Sequence, residues 1–181
     1  MLIRTAVAAS IAALLLLGCA SSPMMKPFDQ TALPSAVQVP AGNSVFLETV
    51  GVGQITYECR AKAGSAGEFE WFFVGPDARL TDRDGKAIGR YFGPPATWEG
   101  QDGVKVTATQ VAVAPATPGS IALQLVKANP ASGIGRVSGT TYIQRVATKG
   151  GVAPAMACGA SNAGARNVVQ YQADYIFWKA S

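Results

Sequence analysis

Gly51-Val52-Gly53-Gln54-Ile55-Thr56-Tyr57-Glu58-Cys59 is the stretch on which the fold is decided. From Ile55 onward the side chains alternate. Ile55, Tyr57 and Cys59 fall on one side and Thr56, Glu58 and Arg60 on the other, the period of two of a half-buried strand. The two glycines upstream can take the positive φ of a tight turn, so the stretch predicts a hairpin joining strands over 44–50 and 54–62. The inward side of the second strand brings Cys59 toward the core.

The same texture runs on through the chain. Short segments rich in Val, Ile, Thr, Tyr, Phe and Trp are separated by clusters of Gly, Pro, Asn and Asp, and no long segment holds a helical period. Further strands are expected over 69–74, 87–92, 104–113, 121–128, 140–148 and 168–178, with turns at Asp82-Arg83-Asp84-Gly85 and Asp102-Gly103. The fold class is therefore all-β: a single antiparallel domain of about eight strands, sandwich or jelly-roll-like. A sheet closing on itself as a barrel gives the same pattern. Trp71, Phe73, Tyr175 and Phe177, at strand spacing, are expected in the core.

At the N-terminus an apolar run over 6–17 follows Arg4 and closes on Leu16-Leu17-Gly18-Cys19. A positive start, an apolar run and small residues before a cut make a secretory signal. About a dozen residues are too few for a spanning helix, which takes roughly 20, so 1–18 reads as a cleaved lipoprotein signal peptide. Cys19 is then the residue that receives lipid, each buried methylene adding about 0.8 kcal/mol of membrane affinity. The alternative is an ordinary cleaved signal with an incidental cysteine. Ala20 stands where aspartate commonly marks inner-membrane retention, which favours the outer membrane. Pro23, Pro27, Pro34 and Pro40 make 19–40 a lipidated cysteine and flexible tether, and 41–181 the β-domain.

Removal of the signal leaves about 163 residues, one domain's worth. The formal charge of +4 falls by one with Arg4, and Lys62, Arg83, Lys105, Lys127, Arg136 and Lys149 are scattered, which argues against a nucleic-acid-binding surface. Cys59 and Cys158 remain after Cys19, and in an exported protein they are expected to pair. The competing readings are two free thiols or two metal ligands. The chain has no histidine and no Cys-x-x-Cys to complete a zinc site, and no metal or other cofactor is expected.

Gln54-Ile55-Thr56-Tyr57-Glu58-Cys59, Trp71-Phe72-Phe73, Pro76-Asp77-Ala78-Arg79-Leu80-Thr81-Asp82, Thr97-Trp98, Asp102-Gly103, Thr141-Tyr142-Ile143-Gln144-Arg145-Val146, Gly150-Gly151-Val152-Ala153-Pro154 and Tyr171-Gln172-Ala173-Asp174-Tyr175 together resemble, in order, the motifs of one secreted bacterial and fungal family. That family is catalogued as domain of unknown function 3455. The resemblance covers 33–178, and Tyr142-Ile143-Gln144-Arg145 is its most specific part. It implies no established activity. It does imply a cysteine pair at positions matching Cys59 and Cys158, in support of the disulfide. Many relatives carry a histidine where this chain has Tyr91 in Gly89-Arg90-Tyr91-Phe92-Gly93-Pro94. A phenol with a pKa near 10 does not replace an imidazole base, so any role of that histidine is lost or filled differently here.

Without histidine, the common serine and cysteine nucleophile mechanisms lack their base. An envelope hydrolase would have to work with two carboxylates, for which Glu99, Asp102 and Asp174 are candidates because they sit beside aromatic residues. Gly133-Ile134-Gly135 has the wrong spacing for a dinucleotide loop. The sharper polar residues are Gln144 and Arg145, placed on opposite faces by alternation. Arg145 shares the side of Ile143 and calls for a carboxylate such as Asp174 or Glu58, whereas a groove would collect Trp98, Tyr142, Gln144 and Arg145 around a ligand. The expectation is a membrane-attached envelope protein, lipid-anchored, that binds a ligand or protein partner without catalysis. A carboxylate hydrolase and a structural or assembly lipoprotein are the alternatives.

Overall fold

The computed structural model describes residues 28–181, so the expected signal peptide 1–18 and the lipidation site Cys19 lie outside the described residues. Eight antiparallel strands follow one another: β1 (Asn43–Ala61), β2 (Phe69–Thr81), β3 (Ala87–Phe92), β4 (Thr97–Gly100), β5 (Lys105–Ala114), β6 (Leu123–Ala128), β7 (Thr140–Gly150) and β8 (Arg166–Ala180). Each pairs with its neighbours in the chain, and β8 returns to β1. The closure left open by the strand pattern is thus a ring, which leaves no unpaired edge. The ring is uneven. β1 and β8 pair from Asn43 to Glu58, whereas β4 and β5 meet only through Thr97, Trp98 and Glu99.

The expected hairpin at Gly51-Val52-Gly53 is not formed; these residues lie inside the 19-residue strand β1. Neither glycine has positive φ. Both serve close approach instead. A Cβ on Gly51 would fall 2.6 Å from Cε2 of Tyr175, and one on Gly53 would collide with the carbonyl oxygen of Asp77. β2 likewise runs on past 74 through Gly75-Pro76. The β1–β2 register slips at Thr56/Tyr57, opposite Gly75 and Phe73, and Pro76 sits next to that irregularity, where a missing N–H is tolerated. β4, four residues long, was not expected from the sequence pattern. The turns at Asp82–Gly85 and Asp102-Gly103 form as expected, with Gly85 and Gly103 at φ +82° and +78°. In each, the aspartate accepts backbone N–H groups: Asp82 from Asp84 and Lys86, and Asp102 from Val104.

The ring encloses an aromatic core. The rings of Tyr91 and Trp98 stack at 4.6 Å, Tyr175 leans on Tyr91 at 4.9 Å, and Phe177 meets Trp98 edge-on at 6.4 Å. Ile55, Leu80, Val106 and Ile143 fill the rest. Tyr175 and Phe177 are core residues as expected. Trp71 is only partly buried and Phe73 is 46% exposed, because both sit where β1 and β2 extend past the body of the ring.

A second apolar layer lies outside the ring. β8 is buried on both faces, sending Tyr175 and Phe177 inward and Ile176 and Trp178 outward. Residues 28–40, within the stretch read as tether, cross this outer face and bury Val37 and Val39 against Leu125, Val146 and Ile176. Pro34 and Pro40 do break helix here, leaving only a three-residue 3-10 turn, Ser35–Val37. The packed part of the chain therefore includes Phe28, whose ring meets Trp178 edge-on at 6.3 Å. Cys59 and Cys158 form the expected disulfide, tying the end of β1 to the connection between β7 and β8.

Candidate functional site

The four residues expected to line one groove are divided between two faces of the sheet. Trp98 and Arg145 point into the ring, and Tyr142 and Gln144 point out of it under the strap formed by 28–40. Strand alternation dictates this for 142–145, and no rotamer brings the two sets together.

Gln144 is fully buried and saturated by protein. Its Oε1 accepts from Nε1 of Trp178 at 2.9 Å, and its Nε2 donates to the carbonyl oxygen of Val37 at 2.6 Å and to Oε1 of Gln30 at 3.0 Å. The same Oε1 of Gln30 takes the backbone N–H of Val39 at 2.7 Å. Gln144 thus fastens the strap to the barrel, and Tyr142 packs at the edge of the same layer.

Arg145 is half-buried on the inner side, but the carboxylate partner expected for it is not there. Its Nε and Nη2 donate to the carbonyl oxygen of Ala122 at 3.1 and 3.0 Å. Asp174 projects from the outer side of β8, where it meets Arg83 at 2.6 Å, and Glu58 is held by Arg60 and Arg166 at 2.6 and 2.8 Å. Tyr175 stands opposite Arg145 in the β7–β8 ladder and edge-on to Trp98 at 5.7 Å. Burial pushes the Tyr57, Tyr91, Tyr171 and Tyr175 hydroxyls up in pKa, and the Arg145 charge partly opposes the shift at each. All four are neutral at ordinary pH, so Tyr91 acts as a packed ring and not as a base. Two of them bond to each other, Tyr171 and Tyr175 at 3.1 Å, and Tyr57 donates to the Gly151 carbonyl at 2.8 Å. The indole N–H of Trp98, in the same core, has no hydrogen-bond partner among the described residues.

The acids proposed for hydrolysis are engaged as structural groups. Glu99 accepts from Arg90 at 2.6 Å with Lys105 at 3.7 Å, and the Arg90 bond holds its carboxyl below the usual range. Asp102 accepts the backbone N–H of Arg136 at 2.7 Å and of Val104 at 3.1 Å, which lowers its pKa as well. Asp174 belongs to the Arg83 cluster, where Glu48 also binds at 2.9 Å. A general acid requires a raised pKa, the opposite of what Glu99 and Asp102 show.

Sequence reasoning missed a surface cleft of about 300 Å³ between the strap, the β5–β6 connection and β7. Leu33, Pro34, Pro115, Leu123 and Thr148 line it, and none of its residues is charged. Thr148 is 7% exposed, and its hydroxyl is buried with no hydrogen-bond partner among the described residues. Ala147 beside it takes φ +48°, a left-handed conformation rare outside glycine. Nothing in the local sequence marks these residues, because the cleft is assembled from four separate segments of ordinary composition. A second surface feature is the rim near the disulfide, where Phe72, Phe73 and Met156 are exposed and the Arg60 guanidinium lies 4.5 Å above the Phe72 ring.

No curated protein and no solved structure matches the chain. A family model described as a protein of unknown function matches residues 40–179, from just before β1 to the penultimate residue of β8, and so takes in the entire ring of strands with its disulfide. With its ring, its cysteine pair and the Tyr142–Arg145 run all inside that match, the chain belongs to the family of proteins of unknown function DUF3455.

Proposed function

We propose that the protein is exported, anchored at the outer membrane of the cell envelope by lipid on Cys19, and that its barrel-like domain is a non-catalytic module binding a ligand or protein partner. The N-terminal pattern supports export and lipidation, and a disulfide suits an oxidising compartment. One observation carries the binding reading: the three candidate acids are bonded to structural partners, whereas a cleft of about 300 Å³ lined by uncharged residues stays open. Location comes from the lipid, and recognition from the surface of the ring.

A thermal-shift screen of the purified protein against cell-wall fragments, sugars, lipids, aromatic acids and divalent metals tests this reading. A ligand at about 100 times its dissociation constant stabilises by roughly 2.7 kcal/mol, a rise of several degrees in Tm. A class that raises Tm without being turned over supports the module, and turnover of any of them overturns the non-catalytic reading. The exposed Phe72, Phe73 and Met156 favour a second reading, an assembly lipoprotein that docks a protein at this rim. Silence across the panel would shift the balance to it.

A further inference from the structure

We propose that two copies of this chain pair through the outer edge of β2 at Phe69–Phe73, antiparallel and about a two-fold axis at Trp71, so that their β1–β2 ribbons form one continuous sheet. This goes beyond both readings of function, since it holds whether or not the cleft takes a ligand. The ring itself has no open edge, but β1 and β2 run on past it. β3 pairs with β2 only from Asp77 to Thr81. Gly75 is the last point of contact on that side, where a Cβ would collide with the Gly93 carbonyl oxygen, and among the described residues no strand pairs with the outer edge of 69–73.

The hydrogen bonds of β1 show which way the β2 backbone faces. Cys59 donates its N–H to the Ala165 carbonyl at 2.9 Å and accepts from the N–H of Gly164 at 2.8 Å, so its main chain is turned away from β2. Lys62 donates to the Glu68 carbonyl at 2.9 Å, which places the β1–β2 bonds on the pairs Arg60–Glu70 and Glu58–Phe72. Phe69, Trp71 and Phe73 alternate with these and turn their N–H and C=O groups to the outer edge. Exposed edges are normally blunted by lysine, proline or a covering segment. Phe69-Glu70-Trp71-Phe72-Phe73 holds neither lysine nor proline, and its aromatic composition is that of a segment that seeks another strand.

A second copy is the occupant that the side chains of this edge suit. Antiparallel pairing centred on Trp71 joins the outward groups of Phe69, Trp71 and Phe73 in about six main-chain hydrogen bonds. It sets Phe69 opposite the partner's Phe73, and Glu70 opposite the partner's Phe72, over which the Arg60 guanidinium of that copy lies at 4.5 Å. Each carboxylate thus approaches an aromatic ring capped by a cation. Moving the axis by one residue would instead oppose the two Glu70 side chains or bring the two Arg60–Phe72 pairs together, and like charges directly opposite destabilise a ladder. Phe28, the first described residue, packs on Trp178 beside Val45, at the other end of β1 from this edge. So short an edge buries less than a standard interface, which makes the dimer a weak one.

Sedimentation equilibrium of the full chain in density-matched detergent, with micelles in excess of protein, tests the pairing together with amide hydrogen exchange. A monomer–dimer equilibrium is expected to develop between about 1 and 100 µM, with exchange of 69–73 slowing as the dimer forms. Phe69→Pro removes an outward N–H without taking a donor from the β1 ladder, and Phe72→Glu sets a second carboxylate against the partner's Glu70. Each is expected to weaken dimerisation at least about tenfold. Phe72 is exposed, so Phe72→Glu carries the test even where Phe69→Pro disturbs the hairpin. Ile134→Lys, at an exposed position outside the strands, leaves the dimer unchanged. A monomer at about 100 µM, or association that survives both Phe69→Pro and Phe72→Glu, overturns the proposal. Protection of 69–73 that is equal at every concentration also overturns it, since another part of the same chain then covers the edge.

Discussion

The Tyr175 ring lies so close to Gly51 that a Cβ at position 51 would stand 2.6 Å from Cε2. β1 passes over this ring at a point where no side chain fits, and the Tyr175–Tyr91–Trp98 stack occupies the space. Gly51→Ala is therefore expected to lower stability by about 1–3 kcal/mol, the cost of overpacking a filled core. Urea denaturation measures it, and a midpoint equal to that of the parent would show the contact to be slack.

Gln144 ties the strap to the barrel through Val37, Gln30 and Trp178. Gln144→Leu keeps the volume but strands a buried indole N–H and the Val37 carbonyl, so a loss of about 3 kcal/mol is expected. Proteolysis within 28–40 should accelerate at the same time. Intact stability with an unchanged cleavage rate would mean that apolar packing of Val37 and Val39 alone holds the strap.

Hydrogen bonds from Arg60 and then Arg166 lower the Glu58 carboxyl from 4.5 to about 2. The folded protein thus binds this proton less readily than the unfolded chain. The stabilisation it gives is fully present above about pH 4.5 and is lost as the pH falls through 2. Melting of the parent and of Glu58→Gln, followed from pH 7 to pH 2, should differ at neutral pH and converge in acid, with a smaller gap in high salt. A gap independent of pH would contradict the assignment.

The Cys59–Cys158 bond closes a loop with a sequence separation of 99. Its removal in Cys59→Ser is expected to lower stability by as much as about 4.7 kcal/mol, the chain-entropy value for a loop of this size. Equal melting of the two proteins would show that the bond does not form in solution.

Much of the fold was legible in the sequence, and the failures have physical causes. Alternation through Ile143, Gln144 and Arg145 gave their faces correctly, because one side of the sheet is a dry core. Gly51 and Gly53 misled, because a glycine chosen for close approach reads the same as one chosen for a turn. β4 escaped notice because four residues carry too little period, although Thr97-Trp98 within it stood out. The groove of Trp98, Tyr142, Gln144 and Arg145 could not form, since adjacent strand residues face opposite ways. The partner of Arg145 was misjudged because a backbone carbonyl, that of Ala122, can serve a guanidinium and leaves no mark in sequence. The cleft was invisible for a related reason: Leu33, Pro115, Leu123 and Thr148 meet only through the strap and the β5–β6 connection.

We propose that lipid on Cys19, and not a surface of the barrel, holds the protein at the membrane. Fractionation of cells expressing the parent or Cys19→Ser, with membranes washed in high salt, tests this most directly. The parent is expected to stay with the membranes while Cys19→Ser is recovered soluble, folded and with Cys59 and Cys158 still bridged. Recovery of Cys19→Ser with the washed membranes would contradict it.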